Sequence, residues 1–421
     1  MFNAEKEIKK WAPVLEHADE APITDSYKKA VTAKLLENTE VALREQAVAS
    51  NFGSLQEADG NMNTSAVANF DPVLISLVRR AMPNLIAYDV AGVQPMSGPT
   101  GLAFAMKARI GDGTPIVAGD AEALFDEADT DFSGAGTDAN SLFDSPHSGI
   151  TTGTGIATGV AEVANIANEM GFTIEKATVV AKTRQLKAEY TMELAQDLKA
   201  VHGLDAESEL ANILSGEILA EINREVIRSM VVTGKVGGVG TTQGFDLVAD
   251  ADGRWAVEKF QSLIFQIEQE ANKIALETRR GKGNFVIASS NVASALAASG
   301  KLVFGGSEGL NVDATGNTFA GTLNGRLKVY VDPYAATDYC TVGYKGDSAY
   351  DAGIFYCPYV PLTMVRAVGE NSFQPKIAFK TRYGLVANPI TGVVDGSIGG
   401  AGTNPYYRTF RVKNINVGGQ S

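Results

Sequence analysis

Between Asp205 and Met230, in DAESELANILSGEILAEINREVIRSM, the apolar residues Leu210, Ile213, Leu214, Ile218, Leu219, Ile222, Val226, Ile227 and Met230 recur every three or four positions. That spacing places them on one face of a single long helix. Asp205 stands where a helix is capped, and Glu207 and Glu209 fall in the first turn, where free amide groups and the helix dipole favour negative charge. Gly234, followed by Gly237 and Gly238, marks the stop. At ~1.5 Å per residue such a helix is on the order of 40 Å long, enough to cross a domain and give distant layers a common support.

The rest of the chain is organised around this spine. Residues 1–57 are densely charged and poor in glycine, and their pattern predicts two or more helical pieces. Phe2, Ile8, Trp11, Val14 and Leu15 form a stripe suited to docking on a partner, while Val31, Leu35 and Ala42 make a weaker second stripe. The small polar run ADGNMNTSAVAN at 58–69 predicts a loop. Asp71 and Pro72 then open a short amphipathic helix, VLISLVRRAM, ended by Pro83. Asn84–Val93 reads as extended, and Leu102–Ile110 alternates as a strand. From Gly111 to Gly171 no sustained core pattern survives, which predicts a long excursion; residues 172–198 return from it as one long strand passing into a short helix.

Beyond the spine, Trp255–Arg280 repeats with helical spacing through Phe260, Ile264, Ile267, Ala271 and Ile274. NFVIA, RLKVYV, YCTVGY and GIFYCPYVPL follow as strands, so residues 246–365 predict a compact α/β lobe. PKIAFKTRYGLVANP and YYRTFRVKNI supply two further alternating strands that complete a sheet.

Composition narrows the function. With 421 residues the chain has material for two or three domains and several cores, so it folds without staples. Its two cysteines, Cys340 and Cys357, lie in apolar or aromatic runs and predict small buried side chains in a reducing compartment. No apolar stretch approaches the ~20 residues that span a bilayer, and no secretory signal pattern opens the chain, so no membrane insertion is expected. A net charge of -13 argues against a surface that grips nucleic acid through its phosphates, though not against one that encloses DNA. Residues 1–57 hold seven Lys or Arg against ten Asp or Glu, so their loss removes three negative charges.

Little of the sequence carries chemistry. Asp120, Glu122, Asp126, Glu127, Asp129 and Asp131 do not reproduce the spacing of a calcium loop and read as a solvated acidic segment. Gly153, Gly155 and Gly159 lack the strand and spacing of a phosphate fingerprint, and RRGKGN at 279–284 has its helix before the loop rather than after it. His202 is far in sequence from His17 and His147 and reads as a capping or packing residue. No catalytic residue, cofactor or metal ligand is expected. The competing reading, a nucleotide-using enzyme centred on 246–330, lacks a site.

DPVLISLVRRAMPNLIAYDVAGVQPMSGPTG from Asp71, ATVVAKTRQLKAEYTMELAQDLKAVHGLDAESEL from Ala177, DAGIFYCPYVPL from Asp351 and FQPKIAFKTRYGLVANP from Phe373 closely resemble the major capsid proteins of T-even-like tailed bacteriophages. The resemblance implies an α+β fold of the Hong Kong 97 type. Its expected divisions are an arm at 58–90, an extended-loop region at 91–185 with a reduced insertion at 113–170, a peripheral domain at 186–245 with 366–421, and an axial domain at 246–365. It also implies hexameric capsomers in a shell that encloses double-stranded DNA, assembled in the host cytoplasm and ending in the virion. The implied partners are further copies of the chain, a vertex protein, a portal, a scaffolding core, a prohead protease, a folding chaperonin and decoration proteins. A pentameric vertex paralogue is the nearer alternative. Such a protease prefers Leu or Ile, any residue, then Glu before a small residue, and Leu55-Gln56-Glu57-Ala58 fits. It falls where the charged helical segment gives way to the polar loop, with accessible backbone. The resemblance therefore assigns 1–57 as a propeptide and Glu57–Ala58 as the bond that is cut.

Overall fold

The spine helix runs from Ala206 to Thr233, and the side chain of Asp205 caps it by accepting from the Glu207 amide at 3.4 Å. The structure, a computed structural model, describes residues 4–16, 23, 25–51, 85–111, 116–117, 120–123, 128–137, 151–163, 168–239, 244–251, 255–303, 318–348, 350–368, 374–393 and 395–415. Leu214, Ile218, Leu219, Ile222, Val226, Ile227 and Met230 of the spine are buried in one large apolar cluster. Ile213, on the other side, is 64% exposed.

Helices and sheets are mixed as an α+β fold. In chain order the helices are α1 (Ala4–Leu15), α2 (Ser26–Asn51), α3 (Ala87–Val90), α4 (Thr158–Ala161), α5 (Met192–His202), the spine α6, α7 (Ala256–Thr278) and α8 (Ser290–Ala298). The first sheet has the order β1 (Gly92–Val93), β12 (Ile354–Val368), β13 (Pro375–Ala387), β4 (Lys182–Glu189). The second runs β5 (Gly234–Val236), β14 (Asn404–Lys413), β11 (Tyr339–Gly343), β7 (Phe285–Ser289), β10 (Leu327–Asp332), β9 (Thr318–Leu323), β8 (Leu302–Val303), with β6 (Gly244–Asp246) also pairing β14. A separate two-stranded ribbon pairs β2 (Thr100–Gly111) with β3 (Glu169–Val180).

The spine lies between the two sheets. Its cluster includes Phe285, Ile287 and Tyr330 from the second sheet and Tyr356, Ile377, Phe379 and Tyr383 from the first. A second core, formed by α7 and α8 against the other face of the second sheet, holds Leu263, Ile267, Ile274, Val286, Val292, Leu296 and Val342. Consecutive spine residues also reach opposite sheets through polar groups. Arg224 donates to the buried Asp332 at the end of β10 (2.5 Å), whose carboxylate also accepts from the Tyr339 hydroxyl at 2.6 Å. Glu225 pairs with Arg184 of β4 at 2.6 Å and accepts from the Tyr383 hydroxyl of β13.

Several expectations change. Residues within Asn84–Val93 are not simply extended: α3 makes one turn there before β1 pairs with β12. A short, mostly apolar run, with Asp89 its one charged residue, carries too little period to distinguish the two forms. The strand expected to run unbroken from 172 is two strands in different sheets, with the change at Ala181, whose amide donates to the Pro99 carbonyl. β12 extends to Val368 despite Pro358 and Pro361, because register shifts between 358 and 363 absorb the missing donors. Sheet membership puts residues 354–365 with β13 and β4, and puts 404–413 with β11 in the lobe sheet. The helix expected after Asp71 lies outside the described residues.

Both cysteines are free and buried. Burial pushes the Cys357 thiol up to about 12 and the Cys340 thiol higher still, so both stay protonated and inert. No helix among the described residues is long and apolar enough to cross a membrane.

Ile222→Ala removes a side chain at 1% exposure from the spine cluster and is expected to cost about 2–5 kcal/mol in the unassembled subunit. Ile213→Ala, on the exposed side of the same helix, is expected to stay within about 0.5 kcal/mol. Denaturant unfolding of the two variants checks the orientation of the spine.

Candidate assembly surfaces

The ribbon is inverted relative to an ordinary half-buried hairpin. In its antiparallel register Phe104 lies opposite Lys176, Met106 opposite Ile174 and Ala108 opposite Phe172, so these share one face. That face looks outward, with Met106 64%, Phe172 72% and Ile174 67% exposed. The opposite face carries Ala103, Ala105, Lys107 and Arg109, all buried. Glu175 pairs with both cations there, at 3.3 Å from Lys107 and 3.0 Å from Arg109. Arg109 also donates to the Asp120 carbonyl, and the chain at 121–123 bonds back to the main chain of β2. The described stretch 120–123 thus lies along β2 and holds Arg109 of the polar face, while the large apolar side chains of the other face stay exposed. A contiguous outward apolar face of this kind marks a surface that another protein chain covers.

A second uncovered element is α5. Thr191 caps it by accepting from the Leu194 amide, and Gly203 ends it in the left-handed conformation with φ 66°. None of its residues is buried, and Met192, Leu194 and Val201 are all at least half exposed.

The amino-terminal helices behave differently. Trp11 and Leu15 of α1, with Val31, Leu35 and Leu36 of α2, are buried in the same cluster as the spine. The docking surface for this amino-terminal segment is therefore on this chain itself, and the stripe that looked weaker in sequence is the deeper one. Between this hairpin and the lobe lies a cavity of about 540 Å³ lined by Lys28, Asp89, Arg326, Lys328 and Lys345 among others. Burial lowers the Lys345 ammonium to about 8, with Lys28 and Lys328 acting in the same direction; its Nζ donates to the Tyr88 carbonyl.

The residues singled out for chemistry do not converge. Leu55, Glu57 and Ala58 lie outside the described residues, as do Asp126 and Glu127. Among the described residues no group of three His, Cys, Asp or Glu side chains is placed to hold a metal ion. Gly153, Gly155 and Gly159 sit in loop and in the four-residue α4, with no strand leading into them among the described residues. In RRGKGN, Arg279 ends α7 with φ 52°, the Arg280 carbonyl accepts from Tyr344, and Lys282 pairs with Glu268 at 2.5 Å. Lys282 is thereby held in an ion pair, and the Arg280 guanidinium lies 3.8 Å from Asp351. His202 is exposed in the last turn of α5.

A family model described as "Major capsid protein Gp23" matches residues 67–412. A major capsid protein of Salmonella phage ViI is 42% identical over 438 residues, covering 97% of each chain. A capsid vertex protein of Enterobacteria phage T4 is 32% identical over 240 residues, covering 53% of this chain and 54% of its own. Among solved structures, the capsid of Myoviridae phage XM1 aligns with 12% identity and a TM-score of 0.40, over 85% of this chain and 97% of the other.

Two outcomes follow from this geometry. Replacing Phe172 and Ile174 together by Ser is expected to shift the stability of the unassembled subunit by less than about 1 kcal/mol, since neither is buried, while weakening self-association in sedimentation velocity. For Lys345, the unfolded chain keeps its proton up to about 10.5 and the folded chain releases it near 8. In that window the unfolded state binds more protons, so stability rises with pH. Unfolding measured from pH 7.5 to 10 is expected to show a gain on the order of 2 kcal/mol that is missing in Lys345→Met.

Proposed function

The chain belongs to the major capsid protein family of tailed bacteriophages, and from that premise we propose that it forms hexameric capsomers of a head shell that encloses double-stranded DNA. It is a structural protein of the virion, not an enzyme. The observation that carries the proposal is the inverted ribbon. Large apolar residues at 104, 106, 172 and 174 point outward and charged ones inward, which stabilises the subunit only when a neighbouring copy covers the outer face.

In this reading the fold is of the Hong Kong 97 type, with β2, β3 and the excursion between them as the extended loop. The spine with β12, β13 and β4 makes the peripheral domain, and the second sheet with α7 and α8 makes the axial domain. Boundaries drawn this way follow the sheets, so β12 belongs to the peripheral part and β14 to the axial part. The reduced insertion has no separate core among its described residues and, at 120–123, holds Arg109 of the ribbon's polar face. A vertex protein, portal, scaffolding core, prohead protease, folding chaperonin and decoration proteins are the further partners proposed, with assembly in the host cytoplasm.

The net charge of -13 supports a shell that holds DNA without gripping it. Residues 1–57 are proposed as a propeptide cut at Glu57–Ala58, with Leu55 and Glu57 recognised by the protease. Intact-mass measurement of subunits from mature particles is expected to give a chain beginning at Ala58, and Glu57→Ala to leave the chain untrimmed but folded. A mature chain that retains Met1 overturns the propeptide; one that begins elsewhere overturns the assigned bond.

A further inference from the structure

Among the described residues, the contacts that seat the amino-terminal hairpin on the body come from residues before Asn51, and so from the amino-terminal side of Glu57–Ala58. Asn38 donates both protons of its side-chain amide to main-chain carbonyls, of Met96 at 2.8 Å and of Tyr359 at 2.9 Å. The Tyr27 hydroxyl donates to the Val93 carbonyl. Lys28 lies 3.8 Å from Asp89 and 5.6 Å from the centre of the Tyr88 ring. Around these anchors Trp11, Leu15, Val31, Leu35 and Leu36 fill the apolar cluster. Breaking one peptide bond after residue 57 removes none of this.

The seat itself is a sheet margin. β1 pairs with β12 at only two residues, and beyond it the main chain of 94–96 follows β12 through the Gln94 and Met96 amides. The carbonyls of Met96 and Tyr359 take their donors from Asn38. Withdrawing the hairpin strips buried carbonyls of their partners and opens apolar surface to water, both of which oppose release. The two helices of the hairpin are also tied to each other. Lys10 bridges α1 to Glu37 (2.7 Å) and Glu40 (2.6 Å) of α2, and Lys34 returns to Glu7 (2.8 Å).

We propose that residues 85–96 and the margin of β12 form a binding groove for the two-helix fragment 4–51, so that cutting and release are separate steps and the excised fragment stays bound after scission. The inference rests on reading 1–57 as a removable segment. Cutting converts the contact from intramolecular to bimolecular, so retention depends on concentration. Within a closed shell the fragment leaves only when it is displaced or degraded further. Its departure, and not the cut, is what uncovers the β12 margin.

The test uses the full chain as unassembled subunits, with the recognition sequence of an unrelated protease inserted between Glu57 and Ala58. This keeps it independent of whether the phage protease cuts at that bond. After cutting, native mass spectrometry at micromolar concentration is expected to show body and fragment as a one-to-one complex. Dilution followed over time is expected to release the fragment about tenfold faster from Asn38→Ala, and measurably faster from Tyr27→Phe, which removes a single hydroxyl and leaves the packing intact. A wild-type fragment that leaves as fast as it is cut overturns the proposal. So do equal release rates in wild type and both variants, which place the holding contacts elsewhere.

Discussion

One helix has to satisfy two sheets, and most of the architecture follows from that constraint. α6 is buried along Leu214, Ile218, Leu219, Ile222, Val226 and Met230 in a cluster shared by strands of both sheets. Its polar residues are divided in the same way: Arg224 engages Asp332 in the lobe, and Glu225, the next residue and about 100° further round, engages Arg184 and Tyr383 in the other sheet. Apolar burial supplies the driving force but is non-directional. The two hydrogen-bonded carboxylates fix how the helix is rotated between its neighbours, because a buried Asp332 without Arg224 and Tyr339 is costly.

The ribbon joins the body only at its base, where Ala103, Ala177 and Val179 share a small core with Phe355, Cys357 and Val386. A two-stranded sheet is marginal in water, and this one keeps its shape through the Lys107, Arg109 and Glu175 cluster beside residues 120–123. The charges are used inside, and the apolar residues are left for a neighbour. Intramolecular stability and intermolecular adhesion are thereby placed on opposite faces of the same two strands. The amino-terminal hairpin solves the reverse problem, since its apolar stripe is spent on the chain that carries it.

Much of this was legible in the sequence. The spine, its Asp205 cap, α7 and the strands of the lobe follow from period and punctuation, whereas the α+β class is what the family resemblance implied. The ribbon shows the limit. Alternation from Leu102 to Ile110 identifies a strand with two faces but does not say which is inside, and burying Phe104 and Met106 is the natural choice for an isolated subunit. The structure does the opposite because Glu175 on the partner strand binds both Lys107 and Arg109, a pairing that no local pattern displays. α3 and the break at Ala181 were hidden for related reasons. One is a single turn too short to show a period, and the other interrupts an alternation that continues across it. For the hairpin, a sequence stripe reveals that a helix docks but not on what.

The account turns on whether the outer face of the ribbon is covered when copies of the chain assemble. Methionine oxidation footprinting reads this directly, because Met106 and Met170 stand on the two strands with more than half of their surface exposed, while Met230 is fully buried in the spine. The predicted result is rapid oxidation of Met106 and Met170 in unassembled subunits, protection of both by at least about tenfold in assembled shells, and slow oxidation of Met230 in each. Equal oxidation of Met106 and Met170 before and after assembly would contradict it.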